Sequence, residues 1–578
     1  MYSSFLGGKG MKKLFKILVA LTMSISLIGC SSNSETTESE TAKMKAGTYS
    51  ATAYGMKSDI TVEVTVDETS IVSVEVTECN DTTGIADAAI AEVPAAIVEN
   101  QSVNVDAASG ATMTSMAIKN AAKSALEEAG ADMDVFNKAV EAVEKTEAET
   151  EEYDLVICGA GISGLSAAVE AARNSDLSVL VLEKESYTGG SARVCGGGIW
   201  AINADINDEI GQDSTLDEYI DFMKDYSGTD DLNTELMTNI YNKCNSVISY
   251  YLEHELPVNP SGWSLGNPDS QLPVLWSEGG NAESGLVDAV QTMAEELGVE
   301  IRVNSAVTSL VHEGNTVTGV TVEDKEHTYT VNADKVILAT GGFTQNKELV
   351  EEYAPEYVDS IVFTGTGGTG DGITMTKDFN VNIVGEGMMG LMGVNAQRGY
   401  YFEEGANVWG PTMMVNKEGE DTQIGSLFYG RTLKAILDET DSMVYGIYDS
   451  TSYAYESMAD YANTTTTVKA YDSLEELAED QGIDYDTLAQ SGADLAEGTL
   501  YCMIIRPLFI GSIPGLEVDA NCRVLTADGS TVENLYACGE LIFGNVFSGA
   551  YPSSGTGMAT STYTGAIAAE AAYTDAAK

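Results

Sequence analysis

The chain has 578 residues, which is too long for one hydrophobic core and predicts roughly two to four domains. Its formal net charge of −60 excludes nucleic acid and anionic membrane surfaces as partners, because both would repel it. The three histidines and eight cysteines include no Cys-x-x-Cys pair, so neither a metal site nor a haem attachment site is predicted.

The N-terminus has the features of an export signal. Lysines precede an apolar run, residues 14–28, that is too short to span a bilayer comfortably. The run ends in Leu27-Ile28-Gly29-Cys30, which resembles a bacterial lipobox and implies cleavage before Cys30 and a lipid on its thiol. We therefore predict a lipoprotein signal peptide at 1–30, a disordered tether at 31–44, and a location on the extracytoplasmic face of the cell membrane. An ordinary signal peptide or membrane anchor is the alternative.

Residues 45–130 predict a small α+β unit. Alternating apolar and polar side chains predict half-buried strands at residues 48–53, 60–66 and 71–76. A helix is predicted over 85–93, which Pro94 should end or kink, and another over 115–129. The polar, Glu-rich residues 131–152 predict a linker.

The segment from Asp106 to Ser115 resembles the acceptor motif on which a flavin transferase esterifies FMN to a threonine, Asp-x-x-Ser-Gly-Ala-Thr-x-Thr/Ser. The resemblance implies covalent FMN on Thr114 and a flavin transferase as maturation partner. Because a transferase must grip this segment, we expect a small, exposed loop shaped by Gly110. The strands and helix before the motif also resemble an FMN-binding domain. A Ser/Gly/Thr helix cap is the alternative interpretation.

Residues 159–164, Gly-Ala-Gly-Ile-Ser-Gly, have the context of a dinucleotide-binding turn. The strand, helix and second strand around the turn are predicted at residues 153–158, 165–173 and 177–183. Gly159 permits the tight bend, Gly161 lets a pyrophosphate approach the backbone, and Gly164 allows close helix packing. Glu183 ends the second strand, where it can accept hydrogen bonds from a ribose.

Further glycine motifs follow in order: Gly189-Gly190-Ser191, Ala339-Thr340-Gly341-Gly342 and Ala537-Cys538-Gly539-Glu540. The ordered set resembles the flavoprotein subunit family of fumarate reductases and succinate dehydrogenases, of the flavocytochrome c and urocanate reductase type, over residues 153–578. The resemblance implies FAD, bound by Gly159, Gly161, Gly164, Glu183, Gly190, Ser191, Gly341, Gly539, Glu540, Gly555 and Thr556.

These patterns together predict an α/β fold class. A Rossmann-like FAD domain is expected from residues 153–345 and 505–578, with an α+β cap or substrate domain inserted at 346–504. The small α+β FMN-binding domain at 45–130 precedes it.

The expected substrate end departs from the fumarate reductases. Trp409 stands about where the soluble enzymes of that family have an arginine proton donor, and residues 548–555 contain no arginine for a second clamp. A dicarboxylate needs cationic partners to offset its desolvation. Fumarate is therefore not the expected substrate.

Two segments of this end resemble the 3-ketosteroid dehydrogenases instead: Gly196-Gly197-Gly198-Ile199-Trp200 and Tyr551-Pro552-Ser553-Ser554-Gly555. The resemblance implies that the Tyr551 hydroxyl and the Gly555 N–H bind a ketone oxygen, as an oxyanion hole does. Tyr551 could instead serve only packing. Arg398, Tyr400 and Tyr401 are candidate proton donors, with surface or core positions as the alternative.

The sequence thus predicts an exported flavin-dependent reductase for anaerobic respiration. Electrons would pass from a membrane donor through covalent FMN to FAD, and then to a carbon–carbon double bond conjugated to a carbonyl group. The small-molecule acceptor would be an enone, or an enoate such as urocanate or cinnamate. A 3-ketosteroid-type dehydrogenase working in the opposite direction and a surface electron carrier are the alternatives.

Overall fold

The computed structural model describes residues 44–140, 145–211, 214–263, 272–277, 285–394, 410–427, 430–464 and 466–577. Its first unit is a three-stranded antiparallel sheet with three helices. The elements are β1 (Gly47–Tyr54), β2 (Asp59–Val66), β3 (Ile71–Glu78), α1 (Ala86–Asn100), α2 (Thr112–Glu128) and α3 (Met133–Phe136). Alternate residues of β2 are buried beneath the helices, which confirms the predicted strand pattern.

Both long helices of this unit differ from the prediction. Helix α1 does not end at Pro94, although proline inside a helix costs about 3 kcal/mol. Burial of Val93, Pro94 and Ile97 in the core of the unit offsets that cost. Helix α2 begins at Thr112, so the last residues of the acceptor motif are helical.

The rest of the chain contains twenty further strands and twelve further helices among the described residues. The strands are β4 (Thr146–Glu147), β5 (Glu151–Cys158), β6 (Val179–Leu182), β7 (Gly198–Trp200), β8 (Val258–Trp263), β9 (Pro273–Ser277), β10 (Glu300–Arg302), β11 (Ala306–Glu313), β12 (Thr316–Glu323), β13 (His327–Leu338), β14 (Ile361–Val362), β15 (Ile383–Val384), β16 (Met388–Val394), β17 (Met413–Val415), β18 (Val444–Tyr448), β19 (Val468–Tyr471), β20 (Leu500–Ser512), β21 (Gly515–Leu516), β22 (Arg523–Leu525) and β23 (Thr531–Ala537). The helices are α4 (Ile162–Asn174), α5 (Ile206–Ile210), α6 (Leu216–Ser227), α7 (Thr234–Glu253), α8 (Leu286–Glu296), α9 (Lys347–Tyr353), α10 (Asp371–Met375), α11 (Gly430–Leu437), α12 (Tyr455–Thr464), α13 (Leu474–Gln481), α14 (Tyr485–Ser491) and α15 (Thr556–Ala576).

The central sheet has nine strands, and its order includes β10-β6-β5-β13-β12-β23-β22. Strands β6, β5, β13 and β23 run parallel and end level, because Leu182, Cys158, Leu338 and Ala537 are aligned in register. Their carboxyl ends therefore meet at one edge, where open α/β sheets bind ligands. Helices α4 and α15 pack on this sheet, and the predicted α/β fold class is confirmed.

A second sheet, of six strands, is built around β20, which pairs with β14, β16, β18 and β19. Strand β20 connects this sheet to the central one, because its last residue, Ser512, donates to Glu540 after β23. The predicted domain boundaries remain predictions. In the part of the chain that the structure describes, no helix is long and apolar enough to cross a membrane. No cluster of potential metal ligands occurs within those same residues.

Candidate functional site

In the turn between β5 and α4, close packing requires glycine at both ends. Gly159 adopts a φ of +107°, and a Cβ atom there would overlap the carbonyl oxygen of Ala339. A Cβ atom on Gly164 would overlap the carbonyl oxygen of Gly159. These two glycines therefore allow the turn and the helix to form, as the sequence predicts.

Gly161, in the middle of the turn, has a different environment. A Cβ atom on Gly161 would meet no protein atom within 4 Å, and the residue lines a large cavity at the carboxyl edge of the central sheet. Packing within the protein does not require glycine here, so the missing side chain leaves room for a ligand. That position, at the start of α4, suits the pyrophosphate of a dinucleotide.

The backbone just after β13 belongs to the same cavity. Thr340, Gly341 and Gly342 line it directly beyond the carboxyl end of that strand. The residues present therefore fit a bound dinucleotide such as FAD.

Most of the residues predicted to bind FAD meet at this cavity. Those that line it are Gly159, Gly161, Glu183, Gly190, Ser191, Gly341, Glu540 and Gly555. Gly164, Gly539 and Thr556 are not among the lining residues. Gly539 donates its N–H to Thr564 in α15 at 3.0 Å, and Thr556 donates its hydroxyl to the Ser553 carbonyl at 2.8 Å. These three residues support the cavity from outside.

The two predicted acidic residues are held by the protein itself. Glu183 accepts hydrogen bonds from the backbone N–H groups of Ala160, at 2.8 Å, and Glu185, at 2.9 Å. Glu540 accepts from the N–H and the hydroxyl of Ser512, at 2.7 and 2.9 Å. Burial raises the pKa of both carboxyls. Glu183 is thus fixed in the cavity lining, where the sequence predicts a contact with a ribose hydroxyl.

One region of the cavity wall, the apolar end, is formed by Trp276, Met389, Leu391, Ile510, Phe543 and Met558. Among the described residues that line the cavity, the one cation is Lys184, which is paired with Asp371 at 2.7 Å. Within the described lining, an anionic ligand would therefore meet a single cation, and that cation is already paired.

Tyr551, Ser554 and Gly555 supply the polar groups at this end. Tyr551 is 6% exposed, and Gly555 begins α15 with a φ of +92°. The indole N–H of Trp200 donates to the Ser554 carbonyl at 2.8 Å, and its ring leaves no room for a side chain on Gly555. Trp200 therefore holds the turn in which the predicted carbonyl-binding groups lie.

Sequence reasoning missed two contributors. Trp200 appeared only as part of a resembling segment, and Trp276 was not identified. The ring of Trp276 packs against Gly198, because β7 and β9 pair with these two residues in register. The alternation of side chains along β9 could have indicated that the Trp276 ring lies on one face of the strand. It could not have indicated that this face lines the cavity.

The predicted cap residues Arg398, Tyr400, Tyr401 and Trp409 lie outside the described residues, as does Cys30. Two further arginines, Arg431 and Arg506, are not among the residues that line the cavity. Arg431 stacks over Tyr226 at 4.4 Å, and Arg506 donates to the Asp441 carbonyl at 3.3 Å.

The position of Thr114 differs from the exposed loop that the FMN acceptor motif predicts. Thr114 is 3% exposed, because it faces the core from the first turn of α2. Its hydroxyl donates to the buried Asp81 carboxylate at 2.7 Å. A phosphoester on this oxygen would place a second anion against that carboxylate.

Thr112, unlike Thr114, is an exposed residue at the start of the helix. It is the first residue of α2 and is exposed, and no side chain caps the helix before it. The first turn of α2 contains no acidic residue. A phosphate there would meet unpaired backbone N–H groups and the positive end of the helix dipole.

Comparisons with known proteins agree with this organisation. The model of the FAD binding domain matches residues 154–558, and that of the FMN-binding domain matches residues 55–127. The chain is 26% identical over 571 residues to a urocanate reductase of Eggerthella lenta, covering 90% of this chain and 92% of the relative.

Two solved structures share the fold. A 3-ketosteroid-Δ4-(5α)-dehydrogenase from Rhodococcus jostii RHA1 superposes with a TM-score of 0.61 at 21% identity, over 74% of this chain and 99% of that one. The open conformation of a flavocytochrome c3 fumarate reductase gives a TM-score of 0.61 at 20% identity, over 77% and 84%. These likenesses show the fold alone.

Proposed function

The chain belongs to the FAD binding domain family, and on this premise we propose that it reduces a carbon–carbon double bond conjugated to a carbonyl group. It is a flavin-dependent oxidoreductase with one FAD-binding and one FMN-binding domain. The observation that carries the proposal is the position of Tyr551 and Gly555 at the apolar end of the cavity.

The roles of the side chains follow from this position. Bound FAD would supply the hydride that reduces the double bond. The Tyr551 hydroxyl and the Gly555 N–H would donate to the carbonyl oxygen, where negative charge develops in the transition state. The apolar wall excludes water and so strengthens both hydrogen bonds. Arg398, Tyr400 or Tyr401 remains the proposed proton donor to the α-carbon.

A neutral enone suits the described wall best. An enoate of the urocanate or cinnamate type would need a cationic partner, for which Arg398 is the candidate. The relative from Eggerthella lenta, a urocanate reductase, supports this second class. Fumarate would need more than one such partner, so we do not propose it.

Electrons would reach the FAD through covalent FMN. The FMN-binding domain and the acceptor motif support this step, and the exposure of Thr112 favours that residue over Thr114 as the site of attachment. A flavin transferase would be needed for maturation.

We also propose export, a lipid on Cys30 and a membrane electron donor. Replacing Cys30 with alanine should move the protein from the membrane fraction to the medium, and continued membrane retention would contradict the lipid anchor.

A dehydrogenase of the 3-ketosteroid type is a second candidate, and the shared fold together with the Tyr-Pro-x-x-Gly segment favours it. The FMN-binding domain argues for reduction instead, because it provides an entry for electrons. A surface electron carrier would not need the apolar end of the cavity.

A screen of acceptors with reduced viologen tests the proposal on the protein that carries both flavins. The panel should contain steroid enones, cinnamate, urocanate and fumarate. We expect oxidation of the viologen by an enone or by one of the two enoates. Comparable rates with fumarate would contradict our interpretation of the wall, and oxidation by none of these compounds would contradict the proposed reaction.

A further inference from the structure

One segment of the chain, Glu185–Arg193, lies between the two flavin regions. On its inner side, Glu185, Gly190 and Ser191 line the FAD cavity. On its outer side the same segment contacts two loops of the N-terminal unit. These loops are residues 81–85, before α1, and residues 106–111, before α2.

The loop before α2 is bound by hydrogen bonds. The Ser109 hydroxyl donates to the Glu185 carboxylate at 2.8 Å, and the Ser186 hydroxyl donates to the Ser109 carbonyl at 2.6 Å. Glu185 is 7% exposed and lines the cavity as well, so one carboxylate contacts both the acceptor loop and the cavity. Such a charge-assisted hydrogen bond helps to fix the loop in one position.

Both loops also approach so closely that they need glycine at the contact. Gly110 has a φ of +73°, and a Cβ atom there would overlap Tyr187 and lie 2.7 Å from the Glu185 carboxylate. Gly84 has a φ of +82°, and its Cβ atom would lie 2.8 Å from the guanidinium of Arg193. The contact between the unit and the segment is therefore closely packed at two separate points.

We propose that Glu185–Arg193 is a docking segment that couples the FMN-carrying unit to the FAD cavity for electron transfer. This inference rests on the proposed two-flavin function. Thr112 follows Gly110 by two residues, so docking of the loop holds the proposed attachment site beside the wall of the FAD cavity. Electron transfer slows steeply with distance, and an undocked unit on its linker would hold the two flavins further apart.

Ser186 is the position at which the docking can be broken without altering either flavin site. It is not among the residues that line the cavity, and it lies outside the unit that the transferase must recognise. Ser186→Tyr should force the acceptor loop away, and Ser186→Ala should remove only its hydrogen bond. Ser246→Tyr, at an exposed position on α7, is the matched control.

The experiment uses the full chain with both flavins and reduces it with deazaflavin radicals from a laser flash. Transfer between the flavins is the first-order phase that does not depend on protein concentration and that Thr112→Ala lacks. We expect Ser186→Tyr to slow this phase at least about tenfold, because the clash and the lost bond depopulate the docked state. Ser186→Ala should give a smaller slowing, and Ser246→Tyr should give none.

Hydrogen exchange of peptides 82–86 and 106–112 provides the second readout. It should accelerate in Ser186→Tyr and not in Ser246→Tyr, while FAD and FMN contents stay equal to the wild type in the Ser186 and Ser246 variants. If hydrogen exchange in Ser186→Tyr were unchanged, the docking contact would be overturned. If exchange were faster but the rate of transfer between the flavins unchanged, the coupling would be overturned. If the wild type carried no FMN or showed no such phase, the two-flavin function itself would fail.

Discussion

The two flavin regions of this chain are built on opposite principles. The FAD region is a deep cavity, where glycines of the main chain leave space for the ligand and buried acids are fixed by backbone N–H groups. The FMN region presents an exposed threonine at the start of a helix. A cavity retains a cofactor by shape and burial, whereas an exposed site needs a covalent bond to retain it. The difference explains why one chain would bind two similar cofactors in two ways.

Exchange of the motif threonines gives the sharpest test of this contrast. Thr112→Ala should abolish FMN incorporation during co-expression with a flavin transferase, because the exposed acceptor oxygen is lost. Thr114→Ala should retain it, since the Thr114 hydroxyl is bound to Asp81 in the core. The intact mass of each variant measures its FMN content, and Thr112→Ser is the conservative control. Loss of FMN in Thr114→Ala alone would assign the ester to the buried residue.

Gly161 tests the FAD side of the comparison. In Gly161→Val the new side chain would enter the cavity and not the protein core, so FAD should fall to background while the fold persists. Gly425→Val is the matched control, because Gly425 also has open space around its Cβ position. Flavin content after denaturation and circular dichroism measure the two effects. Normal FAD content in Gly161→Val would show that the cofactor binds elsewhere.

The same contrast explains what could be predicted from the sequence. The glycine turn, the acid at Glu183 and the strands around them follow local rules of backbone geometry, so both their identity and their place could be predicted. The burial of Thr114 could not, because it depends on Asp81, which is far from it in sequence. Trp276 was missed for a similar reason, since the pairing of β7 with β9 brings it to the cavity.

Tyr551 tests whether the cavity does more than bind FAD. Tyr551→Phe should reduce turnover by about 10²–10³, because one of two donors to the carbonyl oxygen is lost. FAD content and flavin reduction by viologen should stay normal, since the phenol is proposed to act on the substrate and not on FAD binding. Stopped-flow and steady-state rates with the best acceptor separate these steps. A loss below about threefold would leave Tyr551 a packing role and favour a carboxylate substrate bound by Arg398.

Replacement of Asp81 should give the smallest effect of these substitutions. Asp81 belongs to the FMN region, so its replacement tests that side of the comparison. Its carboxylate accepts hydrogen bonds from the N–H groups of Met56, Lys57 and Ser58 and from Thr114. Burial raises the pKa of the Asp81 carboxyl, but these hydrogen bonds together hold it below its ordinary value of 3.8. The ionised Asp81 carboxylate therefore contributes its full stabilisation of the folded unit above its ordinary pKa. This contribution is lost as the pH falls through the lowered pKa of the folded state.

Asp81→Asn should then lower the free energy of unfolding of the N-terminal unit by about 1–3 kcal/mol at neutral pH, and the difference from the wild type should shrink as the pH falls below about 4. Asp67→Asn is the control, because Asp67 accepts similar backbone hydrogen bonds, from Thr69 and Ser70, in an exposed turn of the same unit. FMN incorporation should persist in Asp81→Asn, since Thr112 does not contact the buried network. If FMN were lost while the unit stayed folded, the carboxylate would be acting on the acceptor oxygen itself. The ester would then belong on Thr114, and the FMN region would resemble the FAD region in enclosing its cofactor.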